Sequence, residues 1–229
     1  MEIDSTRVGA DSANTLSKLF TSLDAKDRTE IAGLFALMHR HHVPEGDVLF
    51  RPGVSCERFA VVVEGAVSVS LIDGLREKVL YTVEPGQLCV HTLTNLLNDR
   101  EYQATAVAQQ DTQIGWMDAA SFRRRYQASH ALQRLIVASL SERCFHFVRD
   151  IHDLCFRSIQ ARLAECLIQQ AGHDGCVYLS HQQLAAHLGS TREVISRQLK
   201  ALAMAGLCTV HRGRIEIVEV EQLLARASM

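Results

Sequence analysis

Nowhere in this 229-residue chain does an apolar run approach the roughly 20 residues that a membrane-spanning helix requires. The opening MEIDSTRVGADS also lacks the basic-then-apolar pattern of a secretion signal. A cytoplasmic protein with no membrane partner is therefore expected. An excess of one charge is missing as well: 24 Lys and Arg stand against 26 Asp and Glu, a formal net charge of −2. That balance argues against a protein that coats nucleic acid indiscriminately, while leaving room for a local basic surface. The cysteines Cys56, Cys89, Cys144, Cys155, Cys166, Cys176 and Cys208 are odd in number, scattered, and form no Cys-x-x-Cys pair. Reduced thiols, several of them buried, are expected in place of a disulfide framework.

The composition is that of a globular chain: 47% hydrophobic and 22% charged residues can bury an ordinary core, and the length suits two domains. Residues 1–14 are small and polar and read as a flexible tail. Thr15 to Met38 reads as helical, with LSKLFTSL followed by AKDRTEIAGLFALM. From His39 to Trp116 the period changes to short β-branched runs punctuated by glycine (VPEGDVLFRPG, FAVVVEGAVSVSLIDG, EKVLYTVEPGQL, YQATAVAQQDTQIGWM). Such a series predicts an antiparallel roll or barrel, not alternating β-α units. Ala119 to Gln127 then reads as a short helix and His130 to Phe156 as a long one. In the long helix Ile136, Leu140, Cys144, Phe147, Ile151 and Leu154 approach a heptad seam, which suits a core or a homodimer contact. The fold class expected is α+β.

The most informative stretch is Leu179 to Leu202, LSHQQLAAHLGSTREVISRQLKAL. An apolar-periodic helix stops at Gly189, and Ser190 and Thr191 can cap a second helix; the pattern reads as a helix-turn-helix. On the second helix Val194, Ile195, Leu199 and Leu202 turn inward, leaving Arg192, Glu193, Ser196 and Arg197 outward near its N-terminus. Those side chains suit a major groove, where Arg can fork onto guanine and Glu can accept from the cytosine amino group. A solvated charged face is the plainer alternative for an isolated motif. The continuation favours the groove: Leu207 to Val218 reads as a hairpin with a basic Arg212-Gly213-Arg214 turn, a wing beside the helix. Lys200, Arg212 and Arg214 join Arg192 and Arg197 against Glu193, a local charge of +4 between Gly189 and Arg214.

A glycine-punctuated roll, a long helix and a C-terminal winged helix-turn-helix together resemble the CRP/FNR family of bacterial transcription regulators. The resemblance runs from about Leu16 to Val220 and is most specific in GSTREVISR (189–197) and the RGRIEI wing. It implies a homodimer on palindromic double-stranded DNA, read through TGTGA-like or TTGAT-like half-sites, with RNA polymerase as a partner. It also implies four segments: the tail at 1–14, an effector-sensing β-roll at 15–127, a dimerisation helix and hinge at 128–157, and a winged helix-turn-helix at 158–229.

For the effector, Gly86-Gln87 and Tyr102-Gln103-Ala104-Thr105 stand where cyclic-nucleotide members carry a Gly-Glu pair and an Arg before Ser or Thr, so cyclic AMP is not expected. An N-terminal iron-sulfur cluster is not expected either, because the first cysteine is Cys56. Read as a strand, Cys89 and His91 would point together, and thiolate and imidazole are both haem-iron ligands. Cys89-Val90-His91 is similar to the haem-binding segment of the CooA-type carbon monoxide sensors of the family. That similarity implies Cys89 and His91 as haem ligands, with Leu132, Leu135, Ile136, Ser139 and Leu140 facing the bound gas. Oxidation of the Cys89 thiol, an unidentified small molecule, and ordinary buried roles for both residues stay open beside it.

His39, His41 and His42 read as a polar surface turn, with metal or haem contacts as the alternative. Arg123 to Arg125 reads as a solvated face that could instead touch DNA backbone or RNA polymerase. An enzyme built on Cys89 and His91 would need an orienting group and an oxyanion site, and neither is visible in the sequence.

Overall fold

The computed structural model describes residues 23–74 and 76–227. The expected tail at 1–14 and the LSKLFTSL helix lie outside the described residues. The described residues divide into two compact units, one of residues 23–71 and 80–146, the other of residues 72–74, 76–79 and 147–227.

The first unit begins with α1 (Ala25–Ala36), capped by the Asp24 carboxylate, which accepts from the Asp27 N–H at 2.9 Å. Two antiparallel sheets follow. One has the order β1-β7-β3, built from β1 (His39–Val43), β7 (Thr112–Asp118) and β3 (Arg58–Glu64). The other has the order β2-β6-β4-β5, from β2 (Val48–Phe50), β6 (Thr105–Ala108), β4 (Val67–Asp73) and β5 (Arg76–Val83). Paired residues of antiparallel strands share a face, and so do i and i+2. The register His39↔Trp116↔Ala60 and His41↔Ile114↔Val62 thus places His39, His41, Ala60, Val62, Ile114 and Trp116 on one face of the first sheet. The histidine trio is therefore strand, not a surface turn, with His42 on the opposite face from His41.

Helices α2 (Val90–Asn98) and α3 (Ala119–Ala128) and the first part of α4 (His130–Phe156), up to residue 146, complete the unit. Their apolar sides meet α1 and β3 in a core of Ile31, Phe35, Met38, Phe59, Leu93, Leu96, Phe122, Leu132, Leu135 and Ile136. The Phe59 and Phe122 rings stack with centroids 4.4 Å apart. Two sequence expectations change here. Residues 90–98 are helix, not strand, because Val90, Leu93, Leu96 and Leu97 recur at helical spacing and Leu93 and Leu96 are completely buried. The apolar stripe of α4 also differs from the expected one: Ile136 is 1% exposed in its own core and Leu140 packs against it, whereas Val137, Val148 and Ile151 are 59%, 62% and 59% exposed.

In the second unit Ser158 caps α5 (Ile159–Gln170), accepting from the Ala161 N–H at 3.1 Å. Then come β8 (Cys176–Val177), α6 (His181–Leu188), α7 (Arg192–Met204), β9 (Cys208–His211), β10 (Arg214–Ile217) and α8 (Val220–Ala227). The small sheet has the order β8-β10-β9. Its core joins Leu163, Leu167, Leu184, Leu188, Ile195, Leu199, Leu202, Leu207, Ile215 and Leu223.

Candidate nucleic-acid interface and effector cavity

The geometry of the second unit follows from local capping. Ser180 and Gln183 form a reciprocal capping box at the start of α6: the Gln183 N–H donates to Ser180 Oγ at 3.2 Å, and the Ser180 N–H donates to Gln183 Oε1 at 2.9 Å. Gly189 ends that helix at φ 62°, a left-handed conformation that a Cβ disfavours. Thr191, not Ser190, then caps α7, its hydroxyl accepting from the Val194 N–H at 3.4 Å. With Ile195, Leu199 and Leu202 buried, α7 leaves Arg192, Glu193, Arg197 and Lys200 exposed and Ser190 half-buried.

The Glu193 carboxylate is held below the usual carboxylate range by its own backbone N–H and then by the Thr191 hydroxyl. Such a group is an anion at neutral pH and accepts hydrogen bonds. Ser196 is less free than the sequence suggests, because its hydroxyl lies 2.7 Å from His181 Nδ1, a partner that the linear pattern does not reveal. The wing is a tight hairpin in which His211 pairs with Arg214 across Arg212 and Gly213 at φ 85°. Arg212 and Arg214 are exposed there. Arg192, His181, His211 and Arg214 border one surface cleft, so α7 and the wing present Arg192 and Arg214 on the same side of the unit.

The first unit holds a cavity of about 220 Å3. Its walls include Val43, Leu49, Ala60, Val62, Val67 and Ile114, with Cys89, Thr92, Tyr102 and His41 also lining it and Arg58 and Asp47 adding charge. Phe50 and Tyr102 stack at 3.7 Å and 7°, and the Arg58 guanidinium lies 4.4 Å from the centre of the Trp116 ring. Leu132, Leu135, Ile136, Ser139 and Leu140 do not line this cavity. The first three are completely buried core residues, Leu140 packs against that core, and the Ser139 hydroxyl donates back to the Leu135 carbonyl at 2.9 Å.

Cys89 caps α2 with its backbone and His91 lies in the first turn, so a helix start, not a strand, brings them together. Both face the Tyr81 hydroxyl: Tyr81 Oη lies 2.7 Å from His91 Nδ1 and 3.8 Å from Cys89 Sγ, and accepts the His91 N–H at 3.2 Å. Burial pushes the His91 imidazole below its ordinary pKa and the Tyr81 phenol well above its own. The Arg143 guanidinium of α4 stands 4.2 Å from the centre of the Tyr81 ring. Tyr81 thus links α2 to the long helix. The signal for it was the inward alternation of β5, where Tyr81 and Val83 are buried. Among the described residues no group of three or more His, Cys, Asp and Glu side chains is placed to hold a metal ion.

Comparison with known proteins agrees with both halves. Residues 40–129 match the cyclic nucleotide-binding domain. Residues 161–226 match the Crp-like helix-turn-helix domain. The chain is 29% identical over 216 residues to the cyclic AMP receptor protein of Thermus thermophilus, covering 90% of this chain and 95% of that protein. It is 30% identical over 193 residues to the global nitrogen regulator of Synechococcus elongatus, covering 75% and 82%. A solved structure of a transcriptional regulator of the Crp/Fnr family from Eubacterium rectale shares the fold at TM-score 0.78 and 21% identity, over 92% of this chain and 98% of that one. With a β-roll carrying a cavity, a reading helix with a basic wing, and these relatives, the chain belongs to the CRP/FNR family of DNA-binding transcription regulators, its roll being the effector-binding domain.

Proposed function

We propose that the protein is a homodimeric, effector-gated regulator that reads a palindromic site with Arg192, Glu193 and Arg197 and holds the DNA backbone with Ser190, Thr191, Lys200, Arg212 and Arg214. The observation that carries this is α7 itself, apolar on the side that buries Ile195, Leu199 and Leu202 and charged on the exposed side next to the wing. Ser196 acts together with His181, its hydrogen-bond partner. Gel shifts on palindromes with TGTGA-like or TTGAT-like half-sites test the reading. Arg197→Ala should weaken the preferred site by about 1–3 kcal/mol per half-site, as expected for a lost bidentate guanine contact. Undiminished binding would sink the assignment.

The dimer rests on the exposed stripe of α4. Val137, Cys144, Val148, Ile151 and Cys155 step by seven, four, three and four residues, and a second copy of the same helix covers such a stripe. Two copies suit half-sites one duplex turn apart. The regulator acts in the cytoplasm with RNA polymerase. Gating runs from α2 through Tyr81 to Arg143 on α4.

Haem is the second reading, favoured by the shared approach of Cys89 and His91 to Tyr81. The arrangement fits haem poorly. Both candidate ligands turn onto a phenol, His91 does not line the cavity, and about 220 Å3 is below the ~300 Å3 at which pockets for drug-sized ligands begin. The absorption spectrum of protein expressed with haem supplied, taken ferric, reduced and reduced with carbon monoxide, decides it. A Soret band lost in His91→Ala would establish haem, and a featureless spectrum would retire it.

A further inference from the structure

The lining of the roll cavity points to a ligand class. Three of the chain's 13 aromatic side chains, Phe50, Tyr102 and Trp116, meet there among valines and Ile114. The polar groups divide into two sets. One is a compact hydrogen-bonded cluster on the lining residues Thr92 and Tyr102: Tyr102 Oη is 2.8 Å from Cys56 Sγ and 3.3 Å from Thr92 Oγ1, with Thr92 4% and Tyr102 7% exposed. Arg58, Asp47 and the His41 imidazole form the other set. Arg58 and Asp47 are exposed, and the Arg58 guanidinium is already occupied with the Trp116 face.

A phosphate needs charge-assisted donors at the point where it is buried. The cluster offers the cavity the two hydroxyls of Thr92 and Tyr102 instead, and burial holds the Tyr102 phenol above its ordinary pKa, hence uncharged at neutral pH. Thr92 and Tyr102 can each donate or accept a hydrogen bond, so they match a single hydroxyl.

We propose that the cavity binds a small aromatic molecule of one or two rings that carries one hydroxyl and no phosphate, its ring against Phe50, Tyr102 and Trp116 and its hydroxyl on the Tyr102–Thr92 cluster. The effector role of this ligand rests on the regulator reading above, but the binding test does not use DNA.

Trp116 is the single tryptophan of the chain and lines the cavity, so its emission reports occupancy directly. Full-length protein is titrated with 4-ethylphenol, ethylbenzene and cyclic AMP. The expected result is a saturable change in Trp116 emission with 4-ethylphenol, at least tenfold weaker binding of ethylbenzene, and no saturation with cyclic AMP. Tyr102→Phe keeps the ring stack and should erase the preference for 4-ethylphenol over ethylbenzene. The assignment is overturned by the absence of a saturable response to 4-ethylphenol in the wild-type protein, by saturation with cyclic AMP instead, or by equal wild-type affinity for the two aromatics. The emission titration reads ligand binding without DNA, and gel shifts on the palindrome run both with and without 4-ethylphenol, against Arg197→Ala, read the regulator assignment, so failure of one is distinguishable from failure of the other.

Discussion

At the scale of single residues, glycine marks where the backbone leaves no alternative. Gly65 joins β3 to β4 at φ 89°, and a Cβ there would stand 2.4 Å from Thr112 Oγ1, 2.7 Å from the Asp111 carbonyl oxygen and 2.8 Å from Thr112 Cα. Two of those atoms are backbone and cannot swing aside. Gly65→Ala therefore combines left-handed strain with overpacking and should cost about 3 kcal/mol, read as a lowered denaturation midpoint. Gly189 at φ 62° differs, because its Cβ would meet only the flexible Lys78 side chain, at 3.0 Å. Gly189→Ala should lose about 1 kcal/mol, and a loss as large as that at Gly65 would contradict this account.

His187 carries a pH dependence. Burial lowers its pKa from 6.5, and the nearby Lys78 ammonium lowers it further. The unfolded chain then binds the proton more tightly than the folded one, so this group's stabilisation is complete above about pH 6.5 and declines as the pH falls toward the lowered folded value. His187→Asn should flatten that part of the profile of thermal midpoint against pH between about 6.5 and 5. An unchanged slope would show that other groups set it.

At the scale of elements, α4 shows how burial decides between two readings of one periodicity. Ile136 and Leu140 belong to the helical pattern but face their own core, while Val137, Val148 and Ile151 take the open side. Val148→Glu with Ile151→Glu should shift the protein toward monomer in sedimentation velocity without a matching loss of thermal stability, since both side chains are exposed in the isolated chain. Persistence of the dimer would move its contact elsewhere. Helix α2 gives the complementary case: Cys89 and His91 each reach the Tyr81 hydroxyl, not along a strand but from the start of a helix whose Leu93 and Leu96 fill the core.

At the scale of the molecule, a net charge of −2 coexists with a local charge of +4 between Gly189 and Arg214. Binding to DNA should therefore weaken steeply as salt rises, and Arg212→Ala or Lys200→Ala should each reduce the slope of log affinity against log salt by about 1 per subunit, with equal losses on specific and random DNA. Arg197→Ala should instead lose affinity chiefly on the preferred sequence. Identical behaviour of all three variants would remove the division between backbone and base contacts.

The chain by itself determined the class of the fold and the helix-turn-helix with its wing. Residues three and four apart on α7 must share a face, glycine must take the left-handed turn at position 189, and alternating β-branched runs between glycines must form an antiparallel roll. These are local rules and need no distant partner. The cavity was not legible in the same way. It depends on His41, Phe50, Arg58 and Trp116 arriving from four separate strands, Thr92 from a helix and Tyr102 from a loop, and on sheet register to decide which strand residues share a face. Tertiary structure alone placed Tyr81 between His91 and Arg143, paired Ser196 with His181, and buried Leu132, Leu135 and Ile136 in the core, because each outcome is fixed by contacts between residues far apart in the chain.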